Sequence, residues 1–344
     1  MILDLLLFAG GLVALAAGAD WLVRGAVSLA ASAGIPPLVI GLTVVAFGTS
    51  APELVVSVGA SWRGQGGLAL GNVMGSTVAN VGLIVGLTAL FSPVAIHRRL
   101  LARETPLVVA VLAVVLALSY NAALGRLDGL ALLAAFAVYL AFLLRWALPG
   151  QSGMARAGMD DPQAVTPGAL LEAGTLAAGE EDGQETPAGP DDRTAGGTNR
   201  ALEVGRTAVG LAALLLGAHG LVEGATGLAL VLGVPEAVVG ATLVAVGTSL
   251  PELASSAVAA ARGLGDVAVG NVLGSNVFNL GLVLGASALA RPIQMDPRTV
   301  VTQVLPALAF SMLLVPLAYT GRRVSRAEGV LLLAAYGGFL VWLF

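Results

Sequence analysis

The sequence predicts an all-α polytopic membrane protein: about ten transmembrane helices in two inverted five-helix repeats, with helices 2 and 7 broken. Three observations carry this expectation: the apolar composition, a segment that is written twice, and the uneven placement of the arginines. Mean hydropathy is +0.91, with 57% hydrophobic and 11% charged residues over 344 positions. That balance lies far outside the range of soluble domains. The absence of cysteine excludes disulfides, thiolate metal sites and cysteine nucleophiles.

A helix needs about 20 apolar residues to cross a bilayer. The candidate spans in chain order are 2–23, 37–61, 67–92, 104–123, 127–148, 201–221, 235–261, 266–290, 299–320 and 327–344. The first lacks a basic leader and a clear cleavage site, so it is expected as a mature helix rather than a removed signal. Between the fifth and sixth spans, residues 149–200 hold nine acids and three arginines, net −6, against net +2 elsewhere, which together give the formal −4. This stretch is rich in Gly, Pro, Asp, Glu and Thr and has no hydrophobic periodicity, so a disordered acidic linker is expected there. It separates a first repeat, 1–148, from a second, 201–344.

Basic residues in short loops stay on the cytoplasmic side. With the N-terminus outside, the inner loops collect Arg24, Arg98, Arg99, Arg103, Arg145, Arg200, Arg262, Arg322, Arg323 and Arg326, and the outer loops only Arg63, Arg126, Arg291 and Arg298. The bias predicts an outer N-terminus and a cytoplasmic linker; residence in the cell (inner) membrane is expected. Five spans per half is an odd number, so the second half enters from the opposite side.

The halves are visibly related. Residues 41–90 and 240–289 match at a fixed offset of 199, with 28 of 50 positions identical and no gap. Upstream, Gly18 to Gly41 aligns with Gly217 to Gly240 at the same offset. Duplication of a whole half-protein in opposite orientations is the plan of secondary transporters, whose sites lie near the midplane where the halves meet.

Each copy places one glutamate, Glu53 or Glu252, in an apolar stretch with no Lys or Arg between 38 and 61 or between 235 and 261. An intramembrane carboxylate costs several kcal/mol or more unless it is paired, protonated or coordinating. Two such groups facing each other repel, and a divalent cation resolves the conflict. Thr49 and Ser50 share a turn with Glu53 and Pro52, as Thr248 and Ser249 do with Glu252 and Pro251. Gly48 and Gly247 loosen the backbone and proline removes a donor, so breaks are expected that free carbonyls such as those of Ala46 and Ala245. Ser76 and Asn80, and Ser275 and Asn279, add a hydroxyl and an amide oxygen at i and i+4. Hard oxygens without imidazole or thiolate suit Ca2+ and Na+.

With G-T-S-x-P-E followed by G-N-x-x-G-S-x-x-x-N in both halves, the chain resembles the cation/calcium exchanger superfamily, in particular the prokaryotic sodium/calcium exchangers. The resemblance spans all ten expected helices and omits the linker. It implies an alternating-access antiporter exchanging Na+ for Ca2+ at overlapping sites. The implied ligands are Glu53, Thr49, Ser50, Ser76, Asn80 and the Ala46 carbonyl, with Glu252, Thr248, Ser249, Ser275, Asn279 and the Ala245 carbonyl. Some microbial relatives carry aspartate where this chain has Asn279. The site therefore holds two formal negative charges, enough for one Ca2+ and too few for three Na+. The resemblance also implies that the glycine-rich helices 1 and 6 slide over the rest of the bundle.

No catalytic residue, cofactor, nucleic acid or obligatory protein partner is expected; the partners are Ca2+, Na+ and the lipid bilayer. A proton-coupled or potassium-dependent calcium exchanger is the nearest alternative, since a proton can replace Na+ on a carboxylate. An intramembrane hydrolase with paired carboxylates as acid and base, and a channel, are more distant ones. Asp20 and Arg24 at i,i+4, matched by His219 and Glu223, read as local ion pairs, with gating charges at helix ends as the alternative.

Overall fold

The computed structural model describes residues 1–91, 93–95, 98–119, 122–147, 200–233, 247–319 and 323–343. The expected linker, apart from Arg200, lies outside these residues, as do Ala245 and the first part of the seventh span. The described helices are α1 (Ile2–Ala33), α2 (Pro37–Thr49), α3 (Ala51–Trp62), α4 (Gly66–Phe91), α5 (Arg98–Leu118), α6 (Arg126–Ala147), α7 (Arg200–Val231), α8 (Leu250–Ala261), α9 (Gly265–Ala290), α10 (297–319) and α11 (Arg326–Leu343). Seven of them are long and apolar enough to cross a bilayer, and the bent pair α2 and α3 makes an eighth. Of the other expected spans, α5 carries a shorter apolar stretch, Glu104–Leu118, and α8 is the described part of 235–261.

Two helices outrun their expected ends. α1 continues past 23 because Asp20 and Arg24 pair with each other at 3.0 Å, so the charges are satisfied within the helix. It stops at Gly34, whose φ of 65° permits the left-handed cap that returns its N–H to the carbonyls of Ala30 and Ala31. α7 runs from Arg200, one residue into the expected linker, to Val231 rather than 221. The duplication is written in the backbone as well. Positive-φ glycines stand at Gly34 and Gly233, and at Gly64 and Gly263, pairs separated by the same 199 residues.

Equivalent helices of the two halves, α1 and α7, pack against one another along their whole length. Gly11, Gly18 and Gly25 face the backbone near Gly217, Leu214 and Thr207, while Gly210, Gly217 and Gly224 face Leu22, Leu15 and Phe8. As one helix ascends in number the other descends, so the pair is antiparallel and the repeats are inverted. Glycine at every seventh position brings the backbones into contact, the packing that membrane helices use where the hydrophobic effect gives no drive. The same device joins α4 to α11 through Gly86 and Gly329, and α9 to α6 through Gly285 and Gly129.

α4 and α9 form the buried centre, and the other spans present most of their surface outward. Two antiparallel strand pairs also join the halves. β1 (Val94–Ala95) pairs with β4 (Arg323–Val324), and β2 (Ala123–Leu124) pairs with β3 (Ile293–Gln294).

Candidate functional site

The break in the second span is real and follows from local sequence. Ser50 leaves helical geometry (φ −83°, ψ 5°), Pro52 opens the first turn of α3, and the axis bends by 46° between α2 and α3. Ser249 does the same (φ −88°, ψ 1°) ahead of Pro251 and α8. Proline suits a first helical turn because its missing N–H has no partner to lose there. Glu53 and Glu252 therefore sit in the first turns of α3 and α8. The positive ends of both helix dipoles lie at the carboxylates.

One expectation is corrected. The Ala46 carbonyl is not free: it accepts the Ser50 N–H at 3.0 Å and lies 3.3 Å from the Thr49 hydroxyl. α2 stays helical through Thr49, so the donor for Ala46 still arrives. The donor that Pro52 lacks would have served the residue four before it, Gly48. Ala245 lies outside the described residues.

The structure brings together the other sequence-predicted side chains. Thr49, Ser50, Glu53, Ser76, Asn80, Ser249, Glu252, Ser275 and Asn279 are all buried, with Glu53 and Asn279 at 0% exposure, and Thr248 is half-buried. The Ser50 hydroxyl of one half donates to Glu252 Oε1 of the other at 3.1 Å. The Thr248 and Ser76 side chains face Glu53, and Ser249 Oγ lies 3.4 Å from Ser76 Oγ. Ser50, three residues before Glu53, thus brings both carboxylates to the same buried centre. Even so, Glu53 Oε1 and Oε2, Glu252 Oε2, Asn80 Oδ1, Ser275 Oγ and Asn279 Oδ1 have no hydrogen-bond partner among the described residues. Buried oxygens without partners are rare because each forfeits its hydration. Ser50 with Glu252, and Ser249 with Ser76, link the two halves at the level of both glutamates.

Three asparagines escaped the sequence reading of the site. Asn276 accepts a hydrogen bond from Asn80 Nδ2 at 2.9 Å across the halves. Asn72 and Asn271, the asparagines of the two G-N-x-x-G runs, reach the breaks themselves. Asn72 Nδ2 bonds Ser57 Oγ at 2.9 Å, and Asn271 Nδ2 bonds Ser256 Oγ at 2.9 Å. Their equivalence at offset 199 was the available signal.

No group of three or more His, Cys, Asp or Glu occurs among the described residues. The centre offers two carboxylates plus neutral hydroxyl and amide oxygens, which fits a hard cation and not a transition metal. It is also lopsided. Asn72 and Thr248 are half-buried, whereas their equivalents Asn271 and Thr49 are fully buried. Asn72 lies near the start of α4 and Asn271 near the start of α9, and inverted repeats place those starts on opposite faces.

Comparison with known proteins agrees with this arrangement. The profile of the family described as sodium/calcium exchanger protein matches residues 3–145 and 203–344. Inner membrane protein YrbG of Escherichia coli (strain K12) is 36% identical over 346 residues, covering 100% of this chain and 96% of the relative. Sodium/calcium exchanger MaX1 of Methanosarcina acetivorans is 35% identical over 357 residues, covering 97% and 96%. The solved structure of the sodium-calcium exchanger NCX_Mj soaked with 10 mM Na+ and zero Ca2+ superposes with a TM-score of 0.78 at 29% identity, covering 100% of this chain and 99% of that one. The match leaves out only the region of the acidic linker and a few terminal residues, and on that footing the chain is a member of the sodium/calcium exchanger family.

Proposed function

We infer that this protein is a secondary antiporter exchanging Na+ for Ca2+ by alternating access, and that Glu53 and Glu252 are the charged ligands of the carried ion. One observation supports this above the rest: two buried carboxylates from opposite halves, with oxygens lacking hydrogen-bond partners among the described residues and no cationic side chain on the segments that hold them. Charge of that kind inside a bilayer calls for a counterion. Around the pair, Thr49, Ser50, Ser76 and Asn80, with Thr248, Ser249, Ser275 and Asn279, supply neutral oxygens. The Ala46 carbonyl keeps a second lone pair, and the Ala245 carbonyl is its counterpart by repeat.

Two formal charges balance one Ca2+ or two Na+. A neutralised site crosses the low-dielectric barrier more cheaply than an empty one, and ions that need the same two carboxylates exclude each other. Coupling follows from that exclusion. The C-terminal end of α2, the negative end of its dipole, also points toward the site and favours a cation there. The N-terminus is assigned to the outside and the acidic linker, 149–200, to the cytoplasm, in the cell (inner) membrane. Residues 1–148 and 201–344 act as the two functional halves.

In proteoliposomes, Glu53→Gln and Glu252→Gln should each abolish Ca2+ uptake driven by an outward Na+ gradient. Separate Na+, K+ and H+ gradients identify the coupling ion. Uptake retained by either variant would remove that carboxylate from the site, and uptake that follows only a pH gradient would replace Na+ by H+ as the coupling ion.

A further inference from the structure

Asn72 and Asn271 are equivalent by repeat, and at the helix breaks both reach the glutamate carbonyl and a serine of their own half, Asn271 reaching one serine more. Asn271 Nδ2 lies 3.3 Å from the backbone carbonyl of Glu252 and 3.0 and 2.9 Å from Ser255 Oγ and Ser256 Oγ. Asn72 Nδ2 lies 3.4 Å from the Glu53 carbonyl and 2.9 Å from Ser57 Oγ. A backbone carbonyl can only accept, so these contacts fix which end of each amide is nitrogen. The amide oxygens then point the other way, toward the opposite half. Thr49 Oγ1 donates to Asn271 Oδ1 at 3.2 Å, and Thr248 Oγ1 donates to Asn72 Oδ1 at 3.4 Å.

A threonine hydroxyl has one proton and two lone pairs. To serve a cation it must direct the proton away from the ion, and a lone-pair acceptor on its far side achieves this. We propose that Asn72 and Asn271 are positioning residues: each takes the proton of the other half's threonine, so that the Thr248 and Thr49 oxygens present lone pairs to the ion. Each asparagine at the same time grips the backbone of its own half's glutamate. One amide thus ties the glutamate of one repeat to the hydroxyl ligand of the other. The two ties are matched in chemistry and differ in setting, since Asn271 is fully buried and Asn72 half-buried.

The proposal rests on the ion-site assignment above, and the test separates the two. Half-saturating Ca2+ and maximal rate are measured in proteoliposomes for Asn271→Ala, Thr49→Val and the double variant, with Glu252→Gln alongside. A lost hydrogen bond of this kind is worth about tenfold in affinity. Each single variant should raise half-saturating Ca2+ by about that factor, and the double variant should be no worse than the weaker single. Asn271→Asp keeps an oxygen for the Thr49 proton but turns its second oxygen on the Glu252 carbonyl, so it should stay coupled to Thr49→Val without recovering the affinity in full. Asn271→Ala combined with Thr248→Val, which are not partners, should show multiplied effects. Should the Asn271 variants fail to fold, the same cycle on Asn72 and Thr248 decides. Multiplied effects within both partner pairs, while Glu252→Gln abolishes transport, would overturn the tie and leave the ion site standing. Transport retained in Glu252→Gln would overturn the ion site itself.

Discussion

Replacing one glycine in the α1–α7 seam by alanine is expected to weaken the fold in a way the same change elsewhere on α1 does not. A Cβ at Gly18 would meet the backbone of Leu214, with its Cα at 2.7 Å and the carbonyl carbon of Ala213 at 2.8 Å. Carbon atoms prefer about 3.5–4.0 Å, so the helices must part by about an ångström. No rotamer change relieves the clash, because the opposing atoms are main chain. Overpacking of this sort costs about 1–3 kcal/mol. Alanine also gains up to about 1 kcal/mol over glycine in helix propensity. That gain is shared by Gly10→Ala, where nothing lies within 4 Å of the new methyl group. The difference between the two variants therefore isolates the clash. Thermal unfolding midpoints in one detergent should place Gly18→Ala below Gly10→Ala by a few degrees at least. Gly217→Ala should fall with Gly18→Ala, and Gly205→Ala, again with nothing within 4 Å, should behave like Gly10→Ala. Coincident midpoints for Gly18→Ala and Gly10→Ala would refute the close seam.

Two further outcomes follow from charged groups. Asp20 pairs with Arg262 at the end of α8 as well as with Arg24, whereas Arg63 and Glu223, the repeat equivalents of Arg262 and Arg24, form no ion pair among the described residues. Asp20→Asn should therefore favour opening on the side of Arg262; with no native cysteine in the chain, labelling of a single cysteine introduced at the buried Ala260, 5% exposed, reads this directly, and an unchanged rate would refute it. Asp296 accepts the Thr299 N–H at 2.7 Å, and this holds its carboxyl below the usual 3.8. A depressed folded-state value means the contribution is present above the unfolded value and is lost as pH falls through the folded one. Asp296→Ala should thus lower the unfolding midpoint near neutral pH, and the gap from wild type should close as pH drops below that of an ordinary carboxylate.

The architecture was legible because the chain states it twice. Glu53 and Glu252, with their Thr, Ser and Pro neighbours, could be matched by offset alone, and their shared burial follows from inverted symmetry. What stayed hidden depends on contacts between distant segments. Asn72 and Asn271 were within quoted motifs, yet i,i+4 reasoning looks only along one helix, and their partners Thr248 and Thr49 lie 176 and 222 residues away. The Ala46 carbonyl was misjudged because the break was placed too early: proline silences the bond four residues back. The strands could not be seen at all, since two residues show no alternation. The true length of α1 was masked by Asp20 and Arg24, whose charges look like an exit from the membrane until Arg262 is brought alongside.

Those short strands have a mechanical consequence. Each pair clamps a connection of one half to a connection of the other: β1 with β4 before α5 and α11, β2 with β3 before α6 and α10. A helix that crosses the bilayer, α10, separates β3 from β4, so the two clamps sit on opposite faces. Helices α4 through α6 and α9 through α11 are thereby held as one frame at top and bottom. Neither clamp includes α1 or α7, which meet the rest of the bundle through side chains and the Asp20–Arg262 pair. The main-chain ties between the two halves thus lie within the frame, and the pair across its front is joined to it by side chains alone among the described residues.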